Sequence, residues 1–549
     1  MRTVVDAITD QADGSGTLTL LNSAADVVDG LPWPAVHDRA RRMSTVLAER
    51  GLGPGCRVGL IGDTSVDLVA ALQAIWLTGG AVNLMPPYAR GGPSAYAEYL
   101  LAVLADAQLD LVVVDGLVTA ASVMSAVTDV VTLAELADRA GNSAPATPHR
   151  PEQSDLALLQ YTSGSTRIPR GVPVTHGHLV ANIEAIKVAI DHDAGHPDPM
   201  FSWLPLYHDM GLIAFLAMPM SCGCPLVLQP PTAFAQRPGS WLDALSRYRV
   251  TMSGGPNFAY ALMTRLLRAG GGDLDLSGVR CLVSGGEPID AAMMVRFAAA
   301  AAPFGLDPSV LTPAYGLAEA TLAATVSPVR RGVLVDLVDQ TVLETAGRAE
   351  PGNRPLVRVG RPVRDTAVRV VDQATGDLVA ERIVGQVQVR GPSVVGHYWG
   401  ETRPPAGSWL PTGDLGYLTG GELVICGREK DVLFAAGRNV FPQDIEVVAA
   451  EVAGVRPGGA VAFGLPDPRG DRLVVAIEAR AGDADRLRRE VAAAVLDEVG
   501  LAPTHVAVVP YGGLPKTSSG KLRRAEARRR YVAGDLTQEA IRTQEMENQ

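Results

Sequence analysis

Cysteine, lysine and long apolar runs are all scarce in this chain, and each shortage limits the functions that the protein can have. The five cysteines are scattered, and Cys222 and Cys224 have no second pair or nearby histidine at the spacing of a zinc site. We therefore predict that all five are reduced and structural. No apolar run reaches the roughly 20 residues of a membrane span, and residues 1–6 lack a signal peptide's apolar core, so we expect a cytoplasmic protein.

A basic surface is also missing. The formal net charge of -11 argues against a nucleic-acid partner, because such binding depends on neutralising phosphates with a basic face. With 549 residues, 47% hydrophobic and 19% charged, the sequence predicts a well-packed protein of about two to four structural units.

Only four lysines occur, so 44 of the 48 basic residues are arginine. A genomic bias toward arginine accounts for the scarcity but not for the placement, because Lys430, Lys516 and Lys521 all lie in the last quarter of the chain. Lysine carries a compact, mobile ammonium group, whereas arginine carries a planar guanidinium group with several fixed N–H donors. The retained lysines therefore indicate sites that need the ammonium.

Short apolar strands alternate with amphipathic helices up to about residue 330, a pattern that predicts mostly parallel sheets covered by helices. The predicted strands include 58–62, 111–115, 226–228 and 281–284, and the predicted helices include 65–78 and 291–302.

Beyond Arg330, the period-two segments 367–371 and 385–390 predict a smaller antiparallel β unit. From Gly427 a separate α+β domain is predicted, with strands at 459–464, 473–479 and 505–509 and a helix at 483–499. The predicted division is thus 1–426, with a β subdomain at about 331–426, followed by 427–549.

Residues 161–172 (YTSGSTRIPRGV) place four hydroxyl side chains around Gly164, between apolar segments at 156–159 and 172–175. This loop would join two strands, and it matches neither a Walker loop nor a dinucleotide fingerprint, both of which open a helix. Backbone N–H groups and hydroxyls can hold a polyphosphate in such a nest. The alternative is a Ser/Gly-rich surface turn.

Other motifs carry candidate chemistry, each with a structural alternative. Tyr315 could stack on a base and Glu319 could ligate a divalent metal, or they could be a core aromatic and a solvated helix residue. Asp414, in a Gly-flanked turn, could bind a ribose diol or cap the turn. His208 could be structural or a gate beside an acyl group, and no G-x-S-x-G elbow supports a hydrolase. Lys521 could stabilise a pentacoordinate phosphate or be a solvated tail residue.

Taken together and in this order, the motifs resemble the adenylate-forming superfamily of acyl-CoA synthetases, firefly luciferase and peptide-synthetase adenylation domains, over about residues 30–531. The resemblance implies an α/β fold with a large N-terminal domain of mixed and parallel sheets and a small mobile C-terminal domain hinged at Lys430. It also implies ATP and Mg2+ as cofactors, with Glu319 as the metal ligand and Lys521, His208 and Thr166 as catalytic residues. The implied nucleotide-binding residues are Thr162, Ser163, Gly164, Ser165, Thr166, Gly285, Gly286, Glu287, Pro288, Ala314, Tyr315, Gly316, Leu317, Asp414, Arg428 and Lys521.

The loop departs from the superfamily's usual pattern, because Arg167 replaces a glycine and Arg170 a lysine. The loop S-G-S-T-R, like the segments at 203–212 and 437–446, is similar to fatty acyl-AMP ligases, the branch that delivers acyl groups to carrier proteins. Residues 330–357 correspond in position to that branch's extra segment, which is thought to restrict the C-terminal domain.

The leading hypothesis is therefore activation of a fatty acid to acyl-AMP with release of pyrophosphate, followed by transfer to the phosphopantetheine of an acyl carrier protein. An acyl-CoA synthetase is the nearest alternative. An amino-acid or aryl-acid adenylation enzyme, with Asp209 facing the ammonium group, and a non-catalytic nucleotide or acyl sensor also stay open.

Overall fold

The protein is described by a computed structural model that covers residues 2–11, 14–87, 92–115, 124, 128–162, 170–435, 437–467, 470–480, 484–516 and 521–536. The loop residues Ser163, Gly164, Ser165 and Thr166, for which phosphate binding was predicted, lie outside these ranges, as does Arg167. The fold is the predicted α/β class, in which a large N-terminal part is followed by a small C-terminal one.

The first sheet has six strands in the order β6-β5-β3-β4-β7-β8, parallel except for β8 at its edge. Its central strands β3, β4 and β5 are mostly buried and apolar, as expected for a parallel sheet with helices on both faces. The elements of this region are α1 (Val4–Thr9), β1 (Thr17–Leu21), β2 (Val27–Pro32), α2 (Trp33–Glu49), β3 (Arg57–Ile61), α3 (Val66–Leu77), β4 (Ala81–Met85), α4 (Gly92–Ala107), β5 (Leu111–Val114), β6 (Asp129–Thr132), α5 (Leu133–Gly141), β7 (Leu156–Thr162) and β8 (Arg170–Thr175).

The second sheet has nine strands in the order β17-β14-β13-β12-β11-β9-β10-β1-β2. Its central strands run parallel, and β2, β14 and β17 are antiparallel at the edges. Its further elements are α6 (His176–Ala189), β9 (Met200–Ser202), a π-helix (Met210–Ala217), α7 (Met218–Cys222), β10 (Leu226–Leu228), α8 (Pro231–Gln236), α9 (Ser240–Arg247), β11 (Met252–Gly255), α10 (Asn257–Arg268), β12 (Cys281–Ser284), α11 (Ala291–Ala301), β13 (Leu311–Gly316) and β14 (Ala323–Val326).

The predicted antiparallel β unit is present as the four-stranded sheet β18-β19-β20-β21, preceded by a two-stranded sheet of β15 and β16. The segment between β15 and β16 carries one short helix, capped by Asp339. These elements are β15 (Val335–Val338), α12 (Gln340–Ala346), β16 (Arg354–Val357), β17 (Arg361–Pro362), β18 (Ala367–Val371), β19 (Gly385–Arg390), β20 (Leu410–Thr419) and β21 (Glu422–Arg428).

A 3-10 turn at Glu429–Asp431 leads from β21 into the C-terminal part, where helices pack on the sheet β24-β25-β26. This turn lies close to the predicted boundary, and the division into domains with a hinge at Lys430 stays a prediction. The remaining elements are β22 (Leu433–Ala435), β23 (Arg438–Val440), α13 (Pro442–Glu451), β24 (Val455–Leu465), β25 (Arg472–Ala479), α14 (Ala484–Val499), β26 (His505–Val509) and α15 (Arg524–Ala533).

The strands and helices predicted above are all present, with ends shifted by a few residues. Helix α3 illustrates the cause of such a shift. The Ser65 side chain accepts a hydrogen bond from the Leu68 N–H as an N-cap residue does, so the helix itself begins one residue later. All five cysteines are free thiols, as predicted. In the part of the chain that the structure describes, no helix has both the length and the apolar composition to cross a membrane.

Candidate active site

The candidate residues gather at the carboxyl edge of the second sheet, where ligands bind in open α/β folds. The loop after β9 carries His208 and Asp209, and the ends of β12 and β13 carry Gly286 and Tyr315. Glu319 follows in a 3-10 turn at Ala318–Ala320. Parallel strand direction thus brings together motifs that are far apart in the sequence.

Tyr315, Asp414 and Arg428 form one side of the site. The Tyr315 hydroxyl donates to Asp414 Oδ2 at 2.6 Å, and Arg428 Nε lies 3.3 Å from Asp414 Oδ1. Asp414 and Arg428 are cross-strand partners on β20 and β21, which fixes their separation. Burial raises the pKa of Asp414, although Arg428 and the Tyr315 hydrogen bond oppose the rise. A buried carboxylate between an aromatic hydroxyl and a guanidinium can accept hydrogen bonds from the hydroxyls of a ribose.

The glycines of the predicted nucleotide motifs allow close backbone approach. A Cβ at Gly285 would lie 2.8 Å from the Ala314 carbonyl oxygen, and one at Gly316 would lie 1.7 Å from the Leu322 carbonyl oxygen. Gly286 has φ of +82°, a left-handed conformation that favours glycine. A side chain at Gly285 would therefore clash with β13, and one at Gly316 would clash with the residue that precedes β14.

Lys521 reaches this glycine turn from the C-terminal part: a Cβ at Gly286 would lie 3.5 Å from Lys521 Nζ. Its charge also acts on two buried carboxyls there, Asp209 and Glu287. Burial raises the pKa of Glu287, whose Oε1 accepts a 2.8 Å hydrogen bond from the Asn257 N–H, and Lys521 opposes that rise. The ammonium is therefore held at the end of β12.

His208 and Asp209 are paired, with Nδ1 and Oδ1 2.6 Å apart. Burial alone would raise the pKa of Asp209, but His208 and Lys521 outweigh it and hold the pKa at about 2. The carboxylate is therefore ionised, with His208 hydrogen-bonded to it and the charge of Lys521 acting on it.

Glu319 is held by a tyrosine that the sequence analysis did not single out. Tyr398 Oη donates to Glu319 Oε1 at 2.5 Å, and the Glu319 carbonyl accepts the Val395 N–H at 2.8 Å. The guanidinium of Arg170, at the start of β8, lies 3.5 Å from the centre of the Tyr398 ring and pairs with Glu401. One segment, residues 395–401, thus connects Glu319 to the end of the predicted phosphate loop. No local sequence signal marks Tyr398.

The donor set around Glu319 fits magnesium bound with a nucleotide. Mg2+ takes oxygen ligands and is usually held by one or two carboxylates together with substrate phosphates. In the residues the structure describes, no cluster of three or more His, Cys, Asp or Glu side chains forms an all-protein cage. Glu319 would then supply a protein carboxylate, and phosphates and water would complete the shell.

Lys430 lies within electrostatic reach of the same site. Its pKa is lowered by burial and by Arg428, while Asp431, Asp414 and Glu319 oppose the shift. The turn that carries Lys430 is tied to the Lys521 segment, because Arg524 contacts Asp431 at 2.9 Å and Glu446 at 2.6 Å. Arg524 was missed in the sequence, and its only signal is its position beside Lys521.

The structure therefore brings most of the predicted site residues to one edge. These are His208, Gly285, Gly286, Glu287, Pro288, Ala314, Tyr315, Gly316, Leu317, Glu319, Asp414, Arg428, Lys430 and Lys521. Of the predicted phosphate-binding residues 162–166, only the backbone of Thr162 is described, at the end of β7 opposite Arg170. The roles of all these residues stay predictions.

Comparison with known proteins decides the family. Residues 24–399 match the model of the AMP-binding enzyme family. The chain belongs to this family. It is thus an adenylate-forming ligase, a class of enzymes that use ATP and Mg2+, as the sequence predicted.

Relatives cover nearly the whole chain of this AMP-binding enzyme. The putative ligase Rv1013 of Mycobacterium tuberculosis is 39% identical over 90% of this chain and 93% of its own length. The long-chain-fatty-acid--AMP ligase FadD26 of Mycobacterium marinum is 33% identical over 95% of each chain. A solved chain from work on fatty acyl-adenylate ligases of E. coli and L. pneumophila superposes with a TM-score of 0.89, at 33% identity, over 97% of this chain and 98% of its own.

Proposed function

We propose that this chain converts a fatty acid to its acyl-adenylate and then transfers the acyl group to the phosphopantetheine thiol of an acyl carrier protein. The observation that carries the proposal is the position of Lys521 at Gly286, beside Asp209 and across from the Tyr315 and Asp414 pair. In the proposed mechanism, this one mobile ammonium acts between the bound nucleotide and the carboxylate of the acid. Relatives named as fatty-acid ligases supply the acid class.

In the first step a carboxylate oxygen of the acid attacks the α-phosphorus of ATP, and pyrophosphate leaves. Two anions must approach each other, so the site needs fixed positive charge where negative charge develops. Lys521 supplies it, donating to the attacking carboxylate and to the pentacoordinate phosphate. His208 shields Asp209, so that this buried carboxylate does not repel the incoming acid.

The nucleotide is held by groups on both sides of Lys521. Tyr315 stacks beside the adenine, and Asp414 with Arg428 binds the ribose hydroxyls. Glu319 would hold magnesium, which neutralises the phosphates when bound. Tyr398 and Arg170 keep the Glu319 carboxylate near the residues of the predicted phosphate loop.

In the second step the carrier thiol attacks the acyl carbonyl carbon, and AMP leaves. Lys521 occupies the site in the present arrangement, so it must withdraw before the thiol enters. Rotation about Lys430 would carry the turn, Arg524 and Lys521 away as one piece, because Arg524 joins them through Asp431 and Glu446.

A carrier protein rather than coenzyme A is favoured by ion pairs that fasten the C-terminal part. The segment 335–357 contacts it twice: Arg354 lies 2.6 Å from Asp444, and Arg438 lies 3.2 Å from Glu344. The Arg354 and Glu344 side chains are 7% and 0% exposed, so both pairs are shielded from solvent. These pairs resist the rotation that either thiol requires. A docked carrier protein can offset their loss with its own contacts, whereas a small diffusing thiol cannot.

An amino-acid substrate is disfavoured by the state of Asp209. This carboxylate is the charged group in position to bind an α-ammonium, and it already pairs with His208 and faces Lys521. A second cation would have to displace one of these partners. An uncharged acyl chain meets no such competition.

The test is a panel of straight-chain fatty acids, incubated with ATP and Mg2+ and offered coenzyme A and a holo carrier protein in parallel. Mass spectrometry then scores acyl-AMP, acyl-CoA and acyl-carrier products. We expect acyl-AMP without an acceptor and acyl-carrier with one. Acyl-CoA formed as fast as acyl-carrier would assign the chain to the acyl-CoA synthetases instead, as the name fatty-acid--CoA ligase fadD25 of a relative 33% identical would suggest.

A further inference from the structure

Two buried polar groups beside the reaction centre have no hydrogen-bond partner. They are the indole N–H of Trp203 and the hydroxyl of Ser284, whose residues are 4% and 1% exposed. Buried tryptophan N–H groups normally find an acceptor, because desolvation leaves them no alternative. Two such groups close to one site need an explanation.

Trp203 differs in this respect from the other buried tryptophans among the described residues. Trp33 donates to the Cys224 carbonyl at 2.8 Å, Trp76 to the Ala157 carbonyl at 2.9 Å and Trp241 to Ser253 Oγ at 2.9 Å. The fold therefore supplies an acceptor to each of these three indoles. Only Trp203, next to the active site, is left without one.

The sheet register places the two groups on either side of one glycine. Gly255 on β11 pairs with Ser284 on β12, and the pairing of Met252 with Met200 brings Gly255 level with Trp203 after β9. A Cβ at Gly255 would lie 3.2 Å from Trp203 Cζ2, so the ring lies against the bare backbone. Side chains level with one another on parallel strands point to the same face. Trp203 and Ser284 therefore lie on either side of Gly255 on one face, where a Cβ would also lie 3.5 Å from Ala259 and from Trp241.

This face leads directly to the reaction centre. Ser284 ends β12 and precedes Gly286 by two residues, and a Cβ at Gly286 would lie 3.5 Å from Lys521 Nζ. The rest of the surrounding wall is aromatic: the Trp203 ring stacks on Phe234 at 3.7 Å and meets Phe258 edge-on at 5.9 Å. An acyl chain that extends from Lys521 would contact a mostly apolar surface. Its two polar groups are the indole N–H of Trp203 and the hydroxyl of Ser284.

We infer that Trp203 and Ser284 select a fatty acid that bears an oxygen substituent, a hydroxyl or a carbonyl, on one of the carbons near its carboxyl group. The inference rests on the proposed fatty-acid adenylation and adds a substrate class to it. The substituent oxygen accepts from the Trp203 indole, and Ser284 donates to it or accepts from it. An unsubstituted acid leaves both groups unpaired, which costs binding energy that the substituted acid retains.

The test compares decanoate with 2-, 3-, 4- and 5-hydroxydecanoate and 3-oxodecanoate in pyrophosphate release. We expect kcat/KM for at least one substituted acid to exceed that for decanoate by about tenfold, the factor that one hydrogen bond supplies. Trp203→Phe keeps the stacked ring and removes the donor, and Ser284→Ala removes the hydroxyl. Each variant should bring the ratio of kcat/KM for the substituted acid to kcat/KM for decanoate toward one.

Trp241→Phe is the matched control, because it removes an indole N–H that already has an acceptor, and it should leave the ratio unchanged. If Trp203→Phe fails to fold, Ser284→Ala alone decides. Turnover of decanoate with no preference for any substituted acid, or a preference that survives both variants, would overturn the inference and leave the proposed adenylation intact. Absence of turnover with every acid would overturn both.

Discussion

Tyr398 Oη donates a 2.5 Å hydrogen bond to Oε1 of Glu319. The same tyrosine ring lies under the Arg170 guanidinium. The backbone N–H of Trp399 donates to the Gly171 carbonyl at 2.7 Å. The segment 395–401 therefore holds the predicted metal ligand and the end of the predicted phosphate loop in one arrangement. Arg170, which departs from the superfamily's usual lysine, thus has a local partner in the Tyr398 ring.

Tyr398→Phe should weaken the response to magnesium. The variant keeps the ring beneath Arg170 but leaves Glu319 without its hydroxyl partner, so the carboxylate loses its fixed orientation. We expect the Mg2+ concentration for half-maximal pyrophosphate release to rise about threefold to tenfold, the effect of one hydrogen bond. Binding of Mn2+ in the presence of ATP, followed by electron paramagnetic resonance, should weaken in parallel.

Tyr417→Phe is the matched control for that experiment. Tyr417 also donates to a carboxylate, Asp336 Oδ2 at 2.6 Å, but in the β unit away from Glu319. It should change stability without changing the metal dependence. An unchanged Mn2+ affinity in Tyr398→Phe would show that the hydroxyl does not position Glu319.

The double variant Glu344→Gln, Asp444→Asn should relax acceptor choice. Burial raises the pKa of both carboxyls, and Arg438 and Arg354 oppose the rise, so charge complementarity holds each pair together. Replacing both carboxylates by amides removes that attraction at nearly constant volume. We expect acyl-CoA formation, relative to acyl-carrier formation, to increase severalfold in mass spectrometric product analysis.

Glu451→Gln provides the comparison. It removes an exposed contact with Arg296, at 3.3 Å, between the same two parts of the chain, and exposed ion pairs contribute little. Its product ratio should match that of the unchanged chain. A double variant that still makes no acyl-CoA would indicate that the buried pairs are structural and do not govern the acceptor.

Mild acid should destabilise the protein through His176. Burial lowers the pKa of His176 from 6.5 to about 4, against opposition from Asp155 and Asp6. Between pH 6.5 and about 4, the imidazole of His176 is protonated in the unfolded chain and neutral in the folded chain. The contribution of this residue to the free energy of unfolding is therefore complete above pH 6.5 and is lost as the pH falls toward about 4. The loss attributable to this residue is up to about 3 kcal/mol.

The measurement is the free energy of unfolding in urea at several values of pH. His176→Phe should show a shallower decline between pH 6.5 and 4 than the unchanged chain. His196→Gln, a change at a side chain that is 92% exposed, should not alter the slope. Equal slopes in His176→Phe and the unchanged chain would contradict the assignment.

Local patterns predicted the secondary structure well, because its causes are local. Strand β26 was predicted at 505–509 and lies at His505–Val509, and helix α3 begins at the serine cap that its sequence supplies. The π-helix at Met210–Ala217 was not predicted. There Gly211 lies against the Pro205 carbonyl oxygen, 2.3 Å from where a Cβ would be, a packing constraint that periodicity does not record.

The motifs of the site were found in the sequence, but their contacts were not. Tyr398 and Glu319 are 79 residues apart in the sequence. The Trp203 indole lacks a hydrogen-bond acceptor because the neighbouring strands provide none, which only the folded structure reveals. Such facts belong to the tertiary arrangement. The lysine placement was a different case, because an ammonium retained in an arginine-rich chain already marked Lys521 as a functional candidate.

The central claim is that Lys521 supplies the positive charge for adenylation, and fatty-acid-dependent pyrophosphate release tests it most directly. Lys521→Ala should lower the rate about 100-fold or more, the usual effect of removing one transition-state stabiliser. Lys521→Arg should recover little, because a planar fork does not replace a compact ammonium. Lys516→Ala, which removes a neighbouring lysine that contacts Glu478 at 3.4 Å, should retain most of the rate. Equal rates in Lys521→Ala and the unchanged chain would contradict the account.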